Sequence, residues 1–249
     1  MSDATAILSG KHAVVTGGAR GIGEAIARAL AQHGARISVV SRQPSAVAAE
    51  FMTAEADVSD EDAVRAAFAA CRKANGPVEI LVNNSGIADS APLVRTSLAL
   101  FERILATNLT GTFLCSREAA QDMVIAKWGR ILNIASIAGL YGAPYISAYC
   151  ASKHGVIGFT RAVASEFAGT GITANAICPG YTETEMMHQA IEKIVQHTGA
   201  TPDAARSSLA LMNPEGRIAT VTEVAQAAVE LICGEKNGVA LVVPGGMEA

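Results

Sequence analysis

Tyr149 and Lys153, in the run Tyr149-Cys150-Ala151-Ser152-Lys153, stand four residues apart in a stretch that reads as helix. That spacing puts both side chains on one face, one turn apart. A phenol ordinarily loses its proton only near pH ~10, and a neighbouring ammonium favours the phenolate. Tuned toward neutrality, such a phenol gives a proton to a carbonyl oxygen or takes one from an alcohol. Tyr-x-x-x-Lys alone is also a common surface pair, so the surroundings matter. Ser136 ends a strand-like run thirteen residues before Tyr149, at the carboxyl rim where open parallel sheets bind ligands. Asn108, in Thr107-Asn108-Leu109, sits inside a helical pattern, where asparagine has no propensity to be. Tyr141 and Tyr145 lack a lysine four residues later and are set aside.

A second cluster of chemistry lies near the start, in Thr16-Gly17-Gly18-Ala19-Arg20-Gly21-Ile22-Gly23. Glycines let the backbone turn sharply and approach a pyrophosphate, and the following helix offers its N-terminal amides and dipole. A glycine cluster can equally be a tight strand–helix turn, but here a strand precedes it and a helix follows.

These residues need a frame. Strands are expected at His12–Thr16, Arg36–Ser41, Thr53–Asp57, Val78–Val82, Arg130–Ala135, Ile172–Cys178 and Val239–Val243. Helices are expected at Ile22–His33, Asp60–Ala74, Ser97–Lys127 and Ser147–Ala168. The alternation predicts an α/β fold: a doubly wound parallel sheet of about seven strands with helices on both faces. A single domain is expected over 1–249, with a strandless segment at about 181–217 covering the substrate. With 249 residues, half of them hydrophobic, the chain can bury a large core. Its net charge of −4 gives no general attraction to nucleic acid or to an anionic membrane. Five dispersed cysteines and five histidines show neither a disulfide framework nor metal-ligand spacing. The opening residues do not read as a signal peptide and no run is long enough to span a bilayer, so a cytoplasmic protein is expected.

The order and spacing of these motifs, from Thr16 to Gly245-Gly246, resemble the short-chain dehydrogenase/reductase family, and 3-oxoacyl reductase or 3-hydroxyacyl dehydrogenase members within it. The resemblance implies a Rossmann-type fold and an oxidoreductase that moves a hydride between a nicotinamide dinucleotide and a ketone/alcohol pair. Ser136, Tyr149, Lys153 and Asn108 match the family's catalytic tetrad. In it Ser136 bonds the substrate oxygen, Lys153 holds the nicotinamide ribose, and Asn108 anchors a water leading to solvent. The resemblance carries Gly17, Arg20, Gly21, Ile22, Gly23, Arg42, Asp57, Val58, Asn83, Gly86, Tyr149, Lys153, Pro179, Gly180 and Thr182 into the cofactor site. Asp57 is expected at the adenine, Asn83 and Gly86 at the wall beside the cofactor, and Thr182 at the nicotinamide carboxamide.

The second strand ends in Ser41-Arg42 with no acidic residue before Glu50. A guanidinium binds a 2′-phosphate that a carboxylate would repel. Arg20 and Arg42 therefore favour NADP, with NAD and a catabolic dehydrogenase as the alternative. Met186, Met187, Ile191, Ile194 and Leu209 offer apolar surface to a 3-oxoacyl substrate, and Lys193 and Arg206 a grip on thioester phosphates unless they are simply solvated. The resemblance implies a homotetramer, although Val243-Pro244-Gly245-Gly246 departs from the family's usual ending. A non-catalytic dinucleotide sensor on the same fold is a further alternative, and the complete tetrad speaks against it.

Overall fold

The strands form from the most apolar runs of the chain. His12–Thr16 (β1), Gly129–Ile134 (β5) and Ile172–Pro179 (β6) are buried at every position, as expected of strands covered on both faces. The computed structural model describes residues 3–43 and 50–248. Among these, the other strands are Arg36–Ser41 (β2), Met52–Glu55 (β3), Ile80–Asn83 (β4) and Ala240–Val243 (β7). All pair in parallel, in the order β3-β2-β1-β4-β5-β6-β7. The chain winds outward from β1 to β3, returns to place β4 beside β1, and winds the other way. That reversal opens a crevice at the carboxyl ends of β1 and β4.

Side chains of β1 alternate between two cores, as a period of two requires. Ala13 and Val15 meet Leu8 of α1 (Asp3–Leu8), Ile26 and Leu30 of α2 (Gly21–Gln32), and Val224 and Ala228 of α9 (Val221–Cys233). Val14 faces Val64 and Phe68 of α3 (Glu61–Asn75) and Met123 of α5 (Gly111–Ala126). Full burial of a side chain such as Ile26 or Phe68 contributes roughly 2 kcal/mol. The expected α/β doubly wound sheet is thus the observed one, in a single domain.

Several boundaries differ for local reasons. β3 stops at Glu55 because Asp57 turns the chain, its Oδ1 accepting from Ser59 N–H at 2.9 Å and from the Ser59 hydroxyl at 2.7 Å. The long helix expected at 97–127 is α4 (Leu98–Leu105) and α5 joined by a π-turn at Ala106–Thr110. The strandless segment contains α7 (Glu185–Thr198) and α8 (Pro202–Ala210). Two helices, α1 and α9, add to the expected set. After β7 the chain folds back, Val242 N–H donating to the Met247 carbonyl at 2.8 Å. Among the described residues, no helix is long and apolar enough to cross a membrane.

Candidate active site

The turn after β1 is shaped by contacts that leave no room for side chains. Gly17 and Gly21 take φ of 63° and 57°, the left-handed region that suits glycine. A Cβ on Gly23 would lie 2.4 Å from Asn84 Nδ2 and 2.5 Å from the Gly17 carbonyl oxygen. Asn84 holds this turn: its Nδ2 donates to the Thr16 and Gly17 carbonyls at 3.1 Å each. Thr16 Oγ1 in turn accepts from the N–H groups of Asn84 and Ser85, both at 3.0 Å. The carboxyl ends of β1 and β4 are therefore locked together where the crevice opens. Ile22, in the first turn of α2, packs against the core.

Asn83, expected at the wall beside the cofactor, turns its side chain inward. It is buried, and its Nδ2 donates to Ser116 Oγ at 2.9 Å and Asn133 Oδ1 at 2.8 Å. Consecutive residues at a strand end face opposite ways, so Asn84 reaches the glycine turn and Asn83 the interior. Val58 is likewise buried, close against Gly111, so only its backbone is left to face a ligand.

Arg42 and Asp57 share a cleft of about 560 Å³, lined also by Ser59, Ile87, Asp89 and Lys193. Hydrogen bonds from Ser59, with a smaller contribution from Arg42, hold the Asp57 carboxyl below its usual range. Arg20 is not part of that lining. Its Nη1 lies 2.6 Å from Glu185 Oε2 at the start of α7, both side chains exposed. Such a surface pair is worth about 0–1 kcal/mol, so it is easily exchanged for another anion. Thr184, which caps α7, stands 3.6 Å from where a Gly21 Cβ would lie, so α7 begins beside the glycine turn.

Tyr149 and Lys153 lie one turn apart on α6 (Ser147–Glu166). Lys153 is buried and its Nζ donates to the Ile134 carbonyl at the end of β5, at 2.7 Å. The same Nζ stands 5.8 Å from the Tyr149 ring centre. Ser136 caps a 3₁₀ turn at Ile137–Gly139, Oγ accepting from Ala138 N–H at 3.1 Å. That turn is pressed onto α6, since a Cβ on Gly139 would be 2.7 Å from the Lys153 carbonyl oxygen. Burial pushes the Tyr149 phenol up to about 12, against the opposing effect of a side-chain hydrogen bond with Ser136. Burial also brings Lys153 down to about 8. Without coenzyme, desolvation is the largest cause acting on the phenol, and Lys153 is not among the groups that shift it.

Asn108 sits in the π-turn, buried. Single π-turns inside helices are frequent at functional sites. Its Oδ1 accepts from Ile87 N–H at 2.8 Å, and its Nδ2 donates to the Ile87 carbonyl at 2.9 Å and to Ser152 Oγ at 3.0 Å. Ser152 Oγ donates onward to the Tyr149 carbonyl at 2.8 Å. A Cβ on Gly86 would lie 3.3 Å from Asn108 Oδ1 and 3.6 Å from Lys153 Nζ. The four tetrad candidates and Gly86 are therefore gathered at one rim.

A family model described as short chain dehydrogenase matches residues 11–194. The chain belongs to that family. Over 241 residues it is 38% identical to the 3-oxoacyl-[acyl-carrier-protein] reductase MabA of Mycobacterium tuberculosis, covering 95% of this chain and 92% of the relative. It is also 38% identical to the D-beta-hydroxybutyrate dehydrogenase of Cupriavidus necator, over 90% of this chain and 92% of that one. A single-residue variant of actinorhodin polyketide ketoreductase, crystallised with NADPH, superposes with a TM-score of 0.87 at 34% identity, covering 95% of this chain and 96% of that one. As a short chain dehydrogenase the protein is an oxidoreductase.

In this short chain dehydrogenase the P-G turn closes the rim. Pro179 ends β6, and Thr182 is buried with its hydroxyl donating to the Gly180 carbonyl at 3.0 Å. The segment expected to cover the substrate buries only part of its apolar set. Met187 and Leu209 are buried, whereas Met186 is exposed. Lys193 Nζ is engaged by Asp89 Oδ1 at 2.7 Å, and Arg206 is paired with Glu183. Both pairs are partly exposed, so either cation would have to exchange its carboxylate to meet a thioester phosphate. Asn84 and Ser152, unassigned by sequence reasoning, are the residues that hold the glycine turn and link Asn108 to α6.

Proposed function

We propose that the protein reduces a ketone to a secondary alcohol with NADPH, taking a 3-oxoacyl-type substrate, and that Tyr149 is the proton donor. The observation that carries this reading is geometric: Tyr149 and Lys153 lie one turn apart on α6, Lys153 is anchored to the end of β5, and Ser136 caps the turn pressed onto α6. Desolvation holds the phenol protonated. A group protonated at neutral pH is the acid that carbonyl reduction requires. Ser136 stabilises the same oxygen as charge develops on it. Lys153 holds the nicotinamide ribose hydroxyls, and Asn108 fixes the Ile87 backbone and, through Ser152, the α6 turn bearing Tyr149.

The residues present fit a dinucleotide. Gly17 and Gly23 pack where a Cβ would strike Asn84 or the turn's own backbone, and Gly21 takes a positive φ. The turn therefore stays tight at the N-terminus of α2, where amides and dipole favour a pyrophosphate. Gly86, Pro179, Gly180 and Thr182 complete the nicotinamide end, and Asp57 with the Val58 backbone the adenine end. When bound, the dinucleotide supplies the hydride. The two 38%-identical relatives named above, a 3-oxoacyl reductase and a hydroxybutyrate dehydrogenase, support a 3-oxo/3-hydroxy substrate class. The segment 181–217 covers that substrate.

Arg42 and Arg20 favour the 2′-phosphate form. Arg42→Ala is expected to lower kcat/KM for NADPH about 10- to 100-fold, the worth of one or two charged hydrogen bonds, with little change for NADH. Glu185→Gln, which frees Arg20, is expected to raise kcat/KM for NADPH about two- to fivefold at low salt. The deciding assay is the kcat/KM ratio for NADPH over NADH with acetoacetyl-CoA. A preference for NADH in the native enzyme would overturn the coenzyme assignment and favour an NAD-dependent catabolic dehydrogenase.

A further inference from the structure

The helical segment that begins at Tyr181 returns to its own starting point, and one buried side chain joins the two ends. Asn213, just after α8, is 3% exposed. Its Oδ1 accepts from Tyr181 N–H at 2.7 Å, and its Nδ2 donates to the carbonyls of Tyr181 at 2.8 Å and Arg217 at 2.6 Å. Beside it, Ala219 N–H donates to the Tyr181 carbonyl at 3.0 Å and Glu183 N–H to the Ala219 carbonyl at 2.9 Å. These bonds make an isolated parallel bridge between Thr182 and Ala219.

The amide of Asn213 also lies directly over Gly180. A Cβ on Gly180 would be 2.2 Å from Asn213 Oδ1 and 2.7 Å from its Cγ. Gly180 is absent from the positive-φ glycines, so the contact, rather than the backbone conformation, demands glycine there. Gly180 and Asn213 are a matched pair. Together they set where Tyr181 and Thr182 stand at the end of β6.

We infer that Asn213 is a positioning residue for the nicotinamide end of the site, acting through the backbone of Tyr181. This inference rests on the roles proposed above for Gly180 and Thr182. Among the described residues, nothing in the glycine turn or at Arg42 is hydrogen-bonded to Asn213, so the adenosine half of the coenzyme is outside its reach.

The test compares Asn213→Ala, Gly180→Ala and the double variant in the full-length protein. Asn213→Ala is expected to weaken NADPH binding and to lower kcat, each by about tenfold, the loss of two to three buried hydrogen bonds after partial relaxation. Affinity for 2′,5′-ADP, which reports the adenosine end alone, is expected to stay within about twofold. Gly180→Ala, which displaces the amide from the other side, is expected to have the same pattern. The double variant is expected to be no worse than Asn213→Ala, because the clash is then gone. A fall in melting temperature with NADPH affinity and kcat unchanged would overturn the inference and leave Asn213 a structural clasp. So would equal losses for NADPH and 2′,5′-ADP, or strict additivity of the two substitutions. Thr182→Ala tells the two failures apart. If it leaves NADPH binding and turnover intact, the proposed nicotinamide site itself fails. If Thr182→Ala is impaired and Asn213→Ala is not, only the role of Asn213 fails.

Discussion

Tyr149→Phe is expected to lower kcat for ketone reduction about a thousandfold, within the range that a positioned proton donor contributes. kcat/KM should fall by the same factor, because the lost interaction is made only as the oxygen gathers charge. NADPH affinity should stay within about twofold. The ring remains in place on α6, and the coenzyme's expected contacts come from Lys153 and the glycine turn. Stability should change little: the deleted hydroxyl gives up its hydrogen bond with Ser136, but the phenylalanine no longer buries a polar atom. Steady-state turnover with acetoacetyl-CoA and equilibrium titration with NADPH measure both halves. A kcat within about tenfold of the native value would remove Tyr149 from the chemistry. Binding without turnover in the native protein, across a broad panel of ketones, would instead favour a dinucleotide sensor.

The parts of this site legible in the sequence are those fixed by local geometry. A strand, a glycine turn and a helix are neighbours in the chain, so Gly17, Gly21 and Gly23 could be read together. Tyr149 and Lys153 are related by a single helical turn. What was less legible depends on residues far apart. Arg20 pairs with Glu185 in a helix 165 positions away, and no local pattern announces that. Asn83 and Asn84 are adjacent in sequence but face opposite ways, and a one-residue choice decides which reaches the cradle. The phenol's response to burial also required the fold, because desolvation by residues distant in sequence is its largest cause. The helix α9 was within reach. Thr220 and Glu223 form a capping box there, a signal present in the sequence as T-x-x-E before an apolar run.

Lys153→Met is expected to separate activity from stability in opposite directions. The methionine keeps most of the buried stem and deletes the ammonium. If Lys153 holds the nicotinamide ribose and assists Tyr149, kcat falls about a hundredfold or more, and NADPH binding weakens about tenfold. The coenzyme-free protein should nevertheless become more stable at pH 7. Burial brings Lys153 from its ordinary 10.5 down to about 8, a penalty of roughly 3 kcal/mol against the folded ammonium at neutral pH. Removing it leaves the Ile134 carbonyl without its donor, which costs about 1–2 kcal/mol. The net gain is about 1–2 kcal/mol, or a rise in Tm of about 4 °C. The pH dependence gives an independent check. Between pH 8 and 10.5 the unfolded chain keeps a proton on this lysine that the folded protein has lost. Native stability therefore climbs with pH across that window and is flat with respect to this group below it. Tyr149, raised to about 12, opposes the trend only above pH ~10, where the unfolded phenol begins to ionise first. Urea melts of both proteins at about pH 7, 8, 9 and 10, without coenzyme, measure the difference directly. The Lys153→Met variant should start higher and lack the climb, the two curves converging toward pH ~10. Saturating NADPH should restore the native protein's advantage, because a ligand stabilises in proportion to its affinity for the folded state. Parallel curves in the absence of coenzyme would mean that Lys153 carries no burial penalty. Its position beside Tyr149 would then reflect packing alone.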